Sequence, residues 1–312
     1  MTRFRGRHRP GSPRWASGAL SALAIAAVGL IGALPAAKAA ECENPEALRF
    51  SIIPTEETIQ ELTLYKPVID LLSQNTGKKI EFYMPTSYAS VVEAMIGGWV
   101  DIGVHGPNSY VLAREKDPTI EVFATYAKRP GHLQEEGPGY RAVLITRKDS
   151  KFDTIESLQG ATIGLTDPAS TSGSLIPRVL FRKEVGKELE DYFSKVVYTG
   201  EHDKSTIAVY EKKVDAAFVA THRFDNVVER GLVKLEDFNV LWKSPPVPQD
   251  PFTYRGKLCD ELKTAIRETF LTLQDHPEAK QFLENVSANK FVEMSDSDYD
   301  IIRELRKAKE EM

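Results

Sequence analysis

The stretch Asp167-Pro168-Ala169-Ser170-Thr171-Ser172-Gly173 follows a predicted strand, Ala161–Thr166, and opens a helix that runs on from Ser174 through Leu180. The start of a helix leaves backbone N–H groups without partners and carries a partial positive charge. Three hydroxyls packed there, with a glycine that lets the backbone come close, suit a small oxyanion. A single hydroxyl is enough to cap a helix. Ser-Thr-Ser-Gly therefore exceeds what capping needs, and the turn reads as an anion cradle.

Working outward, short apolar runs alternate with helical stretches, the pattern of an α/β fold with mostly parallel strands. Strands are predicted at Leu48–Pro54, Lys79–Met84, Val100–His105 and Ile120–Tyr126, then at Tyr140–Arg147, Ala161–Thr166, Lys195–Tyr198 and Val214–Ala220. A weak internal echo, Ala94-Met95-x4-Val100-Asp101-Ile102 against Ala208-Val209-x4-Val214-Asp215-Ala216, points to two α/β lobes of related build. The lobes are expected at 41–130 and 131–248, with 249–312 returning to the first and packing two helices, Leu258–Val286 and Ser297–Lys309, on it. Proline and glycine mark the two crossings, near Ala127–Gly139 and Ser244–Pro251.

Ligands of open α/β sheets sit beyond the carboxyl ends of the strands. Those positions hold Thr55 and Glu56, Thr86-Ser87-Tyr88, His105 to Ser109 with Asn108, Ser170 to Gly173, His202-Asp203 and Thr221-His222. Hydroxyls, amides and imidazoles dominate, and the expectation is an oxyanion held by neutral donors. Such donors select shape and protonation state, because a mismatched polar atom in a dry site costs ~1–3 kcal/mol.

Residues 1–40 read as an export signal. Five arginines precede the apolar run Ala19–Leu34, and Ala37-Lys38-Ala39 supplies small residues for cleavage near Ala39. The chain holds 40 Lys+Arg and 45 Asp+Glu. Six of the basic residues and none of the acids lie in 1–40, which leaves the remainder at a net charge of −11. That balance argues against nucleic acid and anionic membranes. The only two cysteines, Cys42 and Cys259, are expected to pair in an oxidising compartment. Glu41 before Cys42 does not suit lipoprotein processing.

The strand–turn–helix around 167–173 also resembles the signature of phosphonate- and phosphite-binding proteins (PhnD-like), the extracytoplasmic receptors of ABC importers. Further pieces match in order: Gly98-Trp99-Val100-Asp101-Ile102-Gly103, Gly106-Pro107-Asn108-Ser109-Tyr110, Gly139-Tyr140, Tyr198-Thr199-Gly200-Glu201-His202-Asp203, and the run from Trp242 to Pro251. The resemblance implies a type II periplasmic binding protein, two α/β lobes joined by a two-crossing hinge. It implies a periplasmic, monomeric receptor that passes a small phosphorus oxyanion to an inner-membrane permease, without a cofactor. Ser170, Thr171 and Ser172 match the turn that binds phosphonate oxygens, and Tyr88, Tyr140, His202 and Asp250 match ligand-facing positions. A bound anion is expected to favour the protonated form of His202.

Two departures shape the ligand. Asn108 stands where the pattern is often aromatic. Thr221-His222 stands where a receptor for amino-alkyl phosphonates wants an acid, so phosphite or a simple alkyl phosphonate is expected. Other readings carry less: a sensor-kinase-coupled receptor for an oxyanion such as arsenite, or a periplasmic hydrolase using Ser170 or Ser172. No His-x-x-x-His or Cys-His spacing suggests a metal among His105, His202 and His222, and no nucleophile elbow or phosphate-binding loop suggests an enzyme.

Overall fold

The computed structural model describes residues 42–55 and 58–312; the expected export signal and Glu56 lie outside the described residues. Along the chain the strands are β1 (Ala47–Ile52), β2 (Lys79–Tyr83), β3 (Ile102–Val104), β4 (Glu121–Lys128), β5 (Gly139–Tyr140), β6 (Ala142–Arg147) and β7 (Thr162–Leu165). They continue as β8 (Lys195–Tyr198), β9 (Ala216–Ala220), β10 (Phe238–Lys243), β11 (Val247–Pro248), β12 (Phe252–Tyr254) and β13 (Ala288–Glu293). One sheet has the order β13-β4-β12-β3-β1-β2, the other β10-β6-β9-β7-β8.

Each sheet is parallel at one side and antiparallel at the other. In the first, β1 runs parallel to β2 and β3, whereas β12 and β13 pair antiparallel with their neighbours. In the second, β7 runs parallel to β8 and β9, and β6 and β10 are antiparallel. The expected predominance of parallel strands is thus corrected to two mixed sheets. The predicted helix Leu258–Val286 is likewise broken into Asp260–Leu271, two short turns and Lys280–Asn285, with Pro277 at the break.

The internal echo has a physical basis. Val100 and Val214 follow helices in the same way, each donating its N–H back to an alanine carbonyl, Ala94 and Ala208. The aspartates that follow cap the neighbouring strand: Asp101 Oδ2 accepts from Arg49 N and Asp215 Oδ2 from Thr162 N, both at 2.8 Å.

The chain leaves the first sheet at Lys128 and comes back between β11 and β12, and the two passages pair as the antiparallel ribbon β5–β11. Asp225 fixes the outgoing passage to the second lobe by accepting N–H bonds from Leu133 and Gln134. Gly131 lets this carboxylate in, since a Cβ there would meet Asp225 Oδ2 at 2.3 Å.

The C-terminal helix Asp300–Glu310 does not sit on the first lobe alone. Its Ile302 and Leu305 share one apolar cluster with Tyr110 and Val111 of the first lobe and Leu175, Ile176 and Val179 of the second. At the other end of the described chain, Cys42 and Cys259 form a disulfide with an S–S distance of 2.01 Å. It fastens the segment before β1 to the start of the helix Asp260–Leu271.

Candidate functional site

A small cleft lies between the sheets. From the first lobe come Ile53, just past β1, Tyr88 at the start of the helix Tyr88–Ile96, and Gly106 after β3. From the second come Tyr140, Ser170, Thr171, His202 and the sequence Ala220, His222, Arg223 following β9; Asp250 enters from the returning passage. The strand ends converge there, as the topology requires.

The turn after β7 is wider than an ordinary helix start. Leu175 N donates to Ser170 O and Ile176 N to Thr171 O, both five residues back. Such wide turns recur at functional sites. Ser170 is a true N-cap, its Oγ accepting from Gly173 N at 3.1 Å. The amides of Thr171 and Ser172 open the helix beside it, where an anion is favoured. Thr171 Oγ1 accepts from Asn108 N across the cleft at 2.8 Å, and the hydroxyl of Tyr140 reaches Thr171 and Ser172.

His202 opens the helix His202–Tyr210 and is buried. Ala220 N–H donates to its Nδ1 at 3.2 Å, with Thr166 Oγ1 at 3.0 Å from the same atom. A backbone N–H can only donate, so Nδ1 holds the lone pair and Nε2 carries the hydrogen. Nε2 faces Ser170 Oγ and Ser172 Oγ, each at 3.4 Å. Burial, joined by repulsion from Arg223 and His222, pushes the ring down to about 3. Before a ligand enters, His202 is therefore a neutral donor at neutral pH.

His222 is buried with neither ring nitrogen hydrogen-bonded, and its Nε2 lies 3.8 Å from Asp250 Oδ2. Burial pushes it down to about 3, against the pull of Asp250. An imidazole buried in a polar cleft without partners is a group awaiting one.

Asp250 and Arg223 supply the charge. Arg223 Nη2 donates to Asp250 Oδ2 at 3.3 Å. Burial alone raises Asp250, but His222, Arg223 and Lys128 outweigh it and hold the carboxyl below its usual value. Arg223 stays a cation because Asp250 offsets its burial. Behind them Lys128 donates to Val286 O at 2.7 Å and is pushed down to about 7 by burial and by Arg223. The expected purely neutral donor set is thus corrected by one buried guanidinium. Nothing in Thr221-His222-Arg223-Phe224 marks that arginine as inward-facing; only the orientation of the helix after β9 does.

Of the other expected site residues, Thr55 is buried past the end of β1 and Ser172 faces His202 beside Ser170. Asn108 clasps the lobes instead, with its amide nitrogen on Ala169 O and its carbonyl accepting from Arg306 of the C-terminal helix. His105 turns inward toward Met95 Sδ at 3.3 Å. Among the described residues no cluster of His, Cys, Asp and Glu could hold a metal ion.

Close packing also demands a glycine at 173. A Cβ there would sit 2.2 Å from Thr166 Oγ1, the group that positions His202. Gly173→Val is expected to lower stability by ~1–3 kcal/mol through overpacking and to abolish ligand binding. Thermal unfolding measures the first effect, and an unaltered melting temperature would refute it.

A model of the family described as "ABC transporter, phosphonate, periplasmic substrate-binding protein" matches residues 50–299. The chain is 31% identical over 272 residues to the phosphonates-binding periplasmic protein of Escherichia coli K12, covering 86% of this chain and 78% of that protein. A binding protein component of an ABC phosphonate transporter from Pseudomonas aeruginosa superposes with a TM-score of 0.78 at 28% identity, over 86% of this chain and 87% of that one. PhnD1 of Prochlorococcus marinus, solved with methylphosphonate, gives 0.75 at 19%, over 86% and 100%, a likeness of fold. With the two mixed-sheet lobes and the cleft between them, the chain belongs to the periplasmic substrate-binding proteins of phosphonate ABC transporters.

Proposed function

We propose that this protein captures phosphite or a small alkyl phosphonate and presents it, lobes closed, to an inner-membrane permease. The observation that carries the reading is the wall of the cleft. A hydroxyl turn at a helix start, two neutral buried imidazoles and one largely buried Arg–Asp pair enclose a small cleft, which suits a ligand of few atoms. Three bonds already join the lobes, from Tyr88 N to Asp167, from Asn108 N to Thr171 and from Asn108 Nδ2 to Ala169. Closure of this kind changes the surface a permease meets. Residues 1–40 would direct export, with cleavage near Ala39; among the described residues no helix is long and apolar enough to cross a membrane.

Asp250 gives the ligand a chemical signature. A carboxylate in the wall accepts hydrogen bonds and repels a bare oxyanion, so the ligand must bring a P–OH to it. Methylphosphonate and phosphite retain such a proton near neutral pH, whereas methanesulfonate does not. Isothermal calorimetry is expected to show methylphosphonate binding at least tenfold tighter than methanesulfonate, a gap of ~1.4 kcal/mol. Equal affinities would refute this role of Asp250, and no heat with any phosphorus oxyanion would refute the reading itself.

The geometry supports binding over hydrolysis. A serine activated by histidine needs a lone pair on the nitrogen facing Oγ. Here the Ala220 N–H occupies Nδ1 and leaves the hydrogen on Nε2, toward Ser170. The ring is set to donate to an oxyanion.

A further inference from the structure

We infer that Arg223 sets the ligand's charge class, admitting phosphorus oxyanions with a neutral substituent and excluding those that carry an ammonium group. The inference rests on the phosphorus-oxyanion reading above and adds to it the residue that discriminates. Arg223 is the third residue of the helix Thr221–Glu229 and borders the cleft with its side chain 13% exposed. A guanidinium has five N–H donors. Among the described residues its hydrogen-bond partner is Asp250 alone, through one nitrogen at 3.3 Å, the long end of the range.

The balance of charge decides the sign of the effect. Asp250 is the carboxylate that borders the cleft, and its Oδ2 is shared between Arg223 at 3.3 Å and His222 Nε2 at 3.8 Å. A ligand ammonium would compete with a fixed guanidinium for that single carboxylate, at close range and poorly screened. Asp167 and Asp203, the acids beside the turn and beside His202, are already engaged, Asp167 by the Ala169 and Tyr88 amides and Asp203 by Arg230 at 2.9 Å. A ligand carrying only negative charge and neutral substituents meets no such conflict. The free guanidinium donors then add to the attraction of the turn at Ser170.

Size and charge are separated by an isosteric pair. 2-Aminoethylphosphonate and propylphosphonate have the same heavy-atom skeleton and differ in the terminal ammonium. Calorimetry on the full exported protein would give the ratio of their dissociation constants for wild type, Arg223→Lys and Arg223→Gln. In wild type the aminophosphonate is expected to bind at least thirtyfold weaker. Arg223→Gln should shrink the ratio at least tenfold, and Arg223→Lys should retain it. A smaller change in Arg223→Gln, or a loss of discrimination in Arg223→Lys, overturns the assignment. Should Arg223→Gln fail to fold, the charge-neutral double variant Arg223→Gln/Asp250→Asn is read by the same tenfold criterion. Wild type that binds methylphosphonate with a ratio near one defeats only the role of Arg223. Wild type that binds no phosphorus oxyanion defeats the functional reading and this inference with it.

Discussion

Replacing Asp250 with alanine is expected to destabilise the protein by about 3–5 kcal/mol, because it leaves the buried Arg223 without a counter-charge. Asp250 is 4% exposed and lies on the returning passage. Its carbonyl accepts from Thr125 Oγ1 at 2.7 Å, and the next residue, Pro251, accepts from His105 N. The local backbone is therefore fixed, and the lost carboxylate cannot be replaced by a shift of the chain. Asp250→Asn keeps the shape and a hydrogen-bond acceptor, and should cost less. The decisive comparison is Asp250→Ala against Asp250→Ala/Arg223→Met. An apolar pair in place of a buried ion pair is often neutral, so the double variant should recover most of the loss. Urea unfolding with constant slope reads both effects. An alanine variant within about 0.5 kcal/mol of wild type would mean that water reaching Arg223, or loss of the proton on Lys128, offsets the missing carboxylate. In that event the charge pair could not be the fixed element on which ligand selection is built.

The parts of this design that are written in local chemistry were readable in the chain. Ser170-Thr171-Ser172-Gly173 declares a hydroxyl-rich helix start because its hydroxyls and its glycine act within a few residues of one another, and the structure builds it as a wide, capped turn. The parallel strands at one side of each sheet follow from apolar runs such as Ala216–Ala220, buried throughout. What was not readable depends on contacts between distant segments. The three-residue strand Phe252–Tyr254 is too short to show alternation, and it becomes a strand only by lying between β3 and β4. Asn108 looks like any polar residue at a helix start, yet Ala169 and Arg306, 61 and 198 residues away, make it a clasp. The apolar stripe of the C-terminal helix announces that it packs, but not that it packs on both lobes. Arg223 is the most consequential case. An arginine in the first turn of a helix is ordinarily solvated, and only the tertiary fold turns this one toward Asp250.

Acid should weaken the fold well above the pH at which carboxylates titrate. His105, His202 and His222 are buried and neutral, pushed down by desolvation to about 4, about 3 and about 3. In the unfolded chain a histidine titrates near 6.5. Between that value and the folded values the unfolded state binds more protons, so stability rises with pH and is lost as pH falls. From about pH 7.5 to about pH 5.5 each ring should forfeit about 1.3 kcal/mol, and the three together about 4 kcal/mol. Lys128, depressed to about 7, acts with the same sign from neutral pH upward. Asp250, held low, contributes stability above the ordinary carboxylate range that disappears only in stronger acid. Urea unfolding across this window measures the slope, and a stability constant to within about 1 kcal/mol would show that the rings find solvent or a proton partner when folded. His222→Gln should remove about a third of the slope, since His105 and His202 are held down chiefly by their own burial. The same argument fixes the proton count of ligand capture. His202 and His222 are neutral before binding, so if the phosphonate's own hydrogen bridges to Asp250 calorimetry near neutral pH should show little proton uptake, and an uptake that His202→Gln abolishes would show instead that the anion protonates that ring.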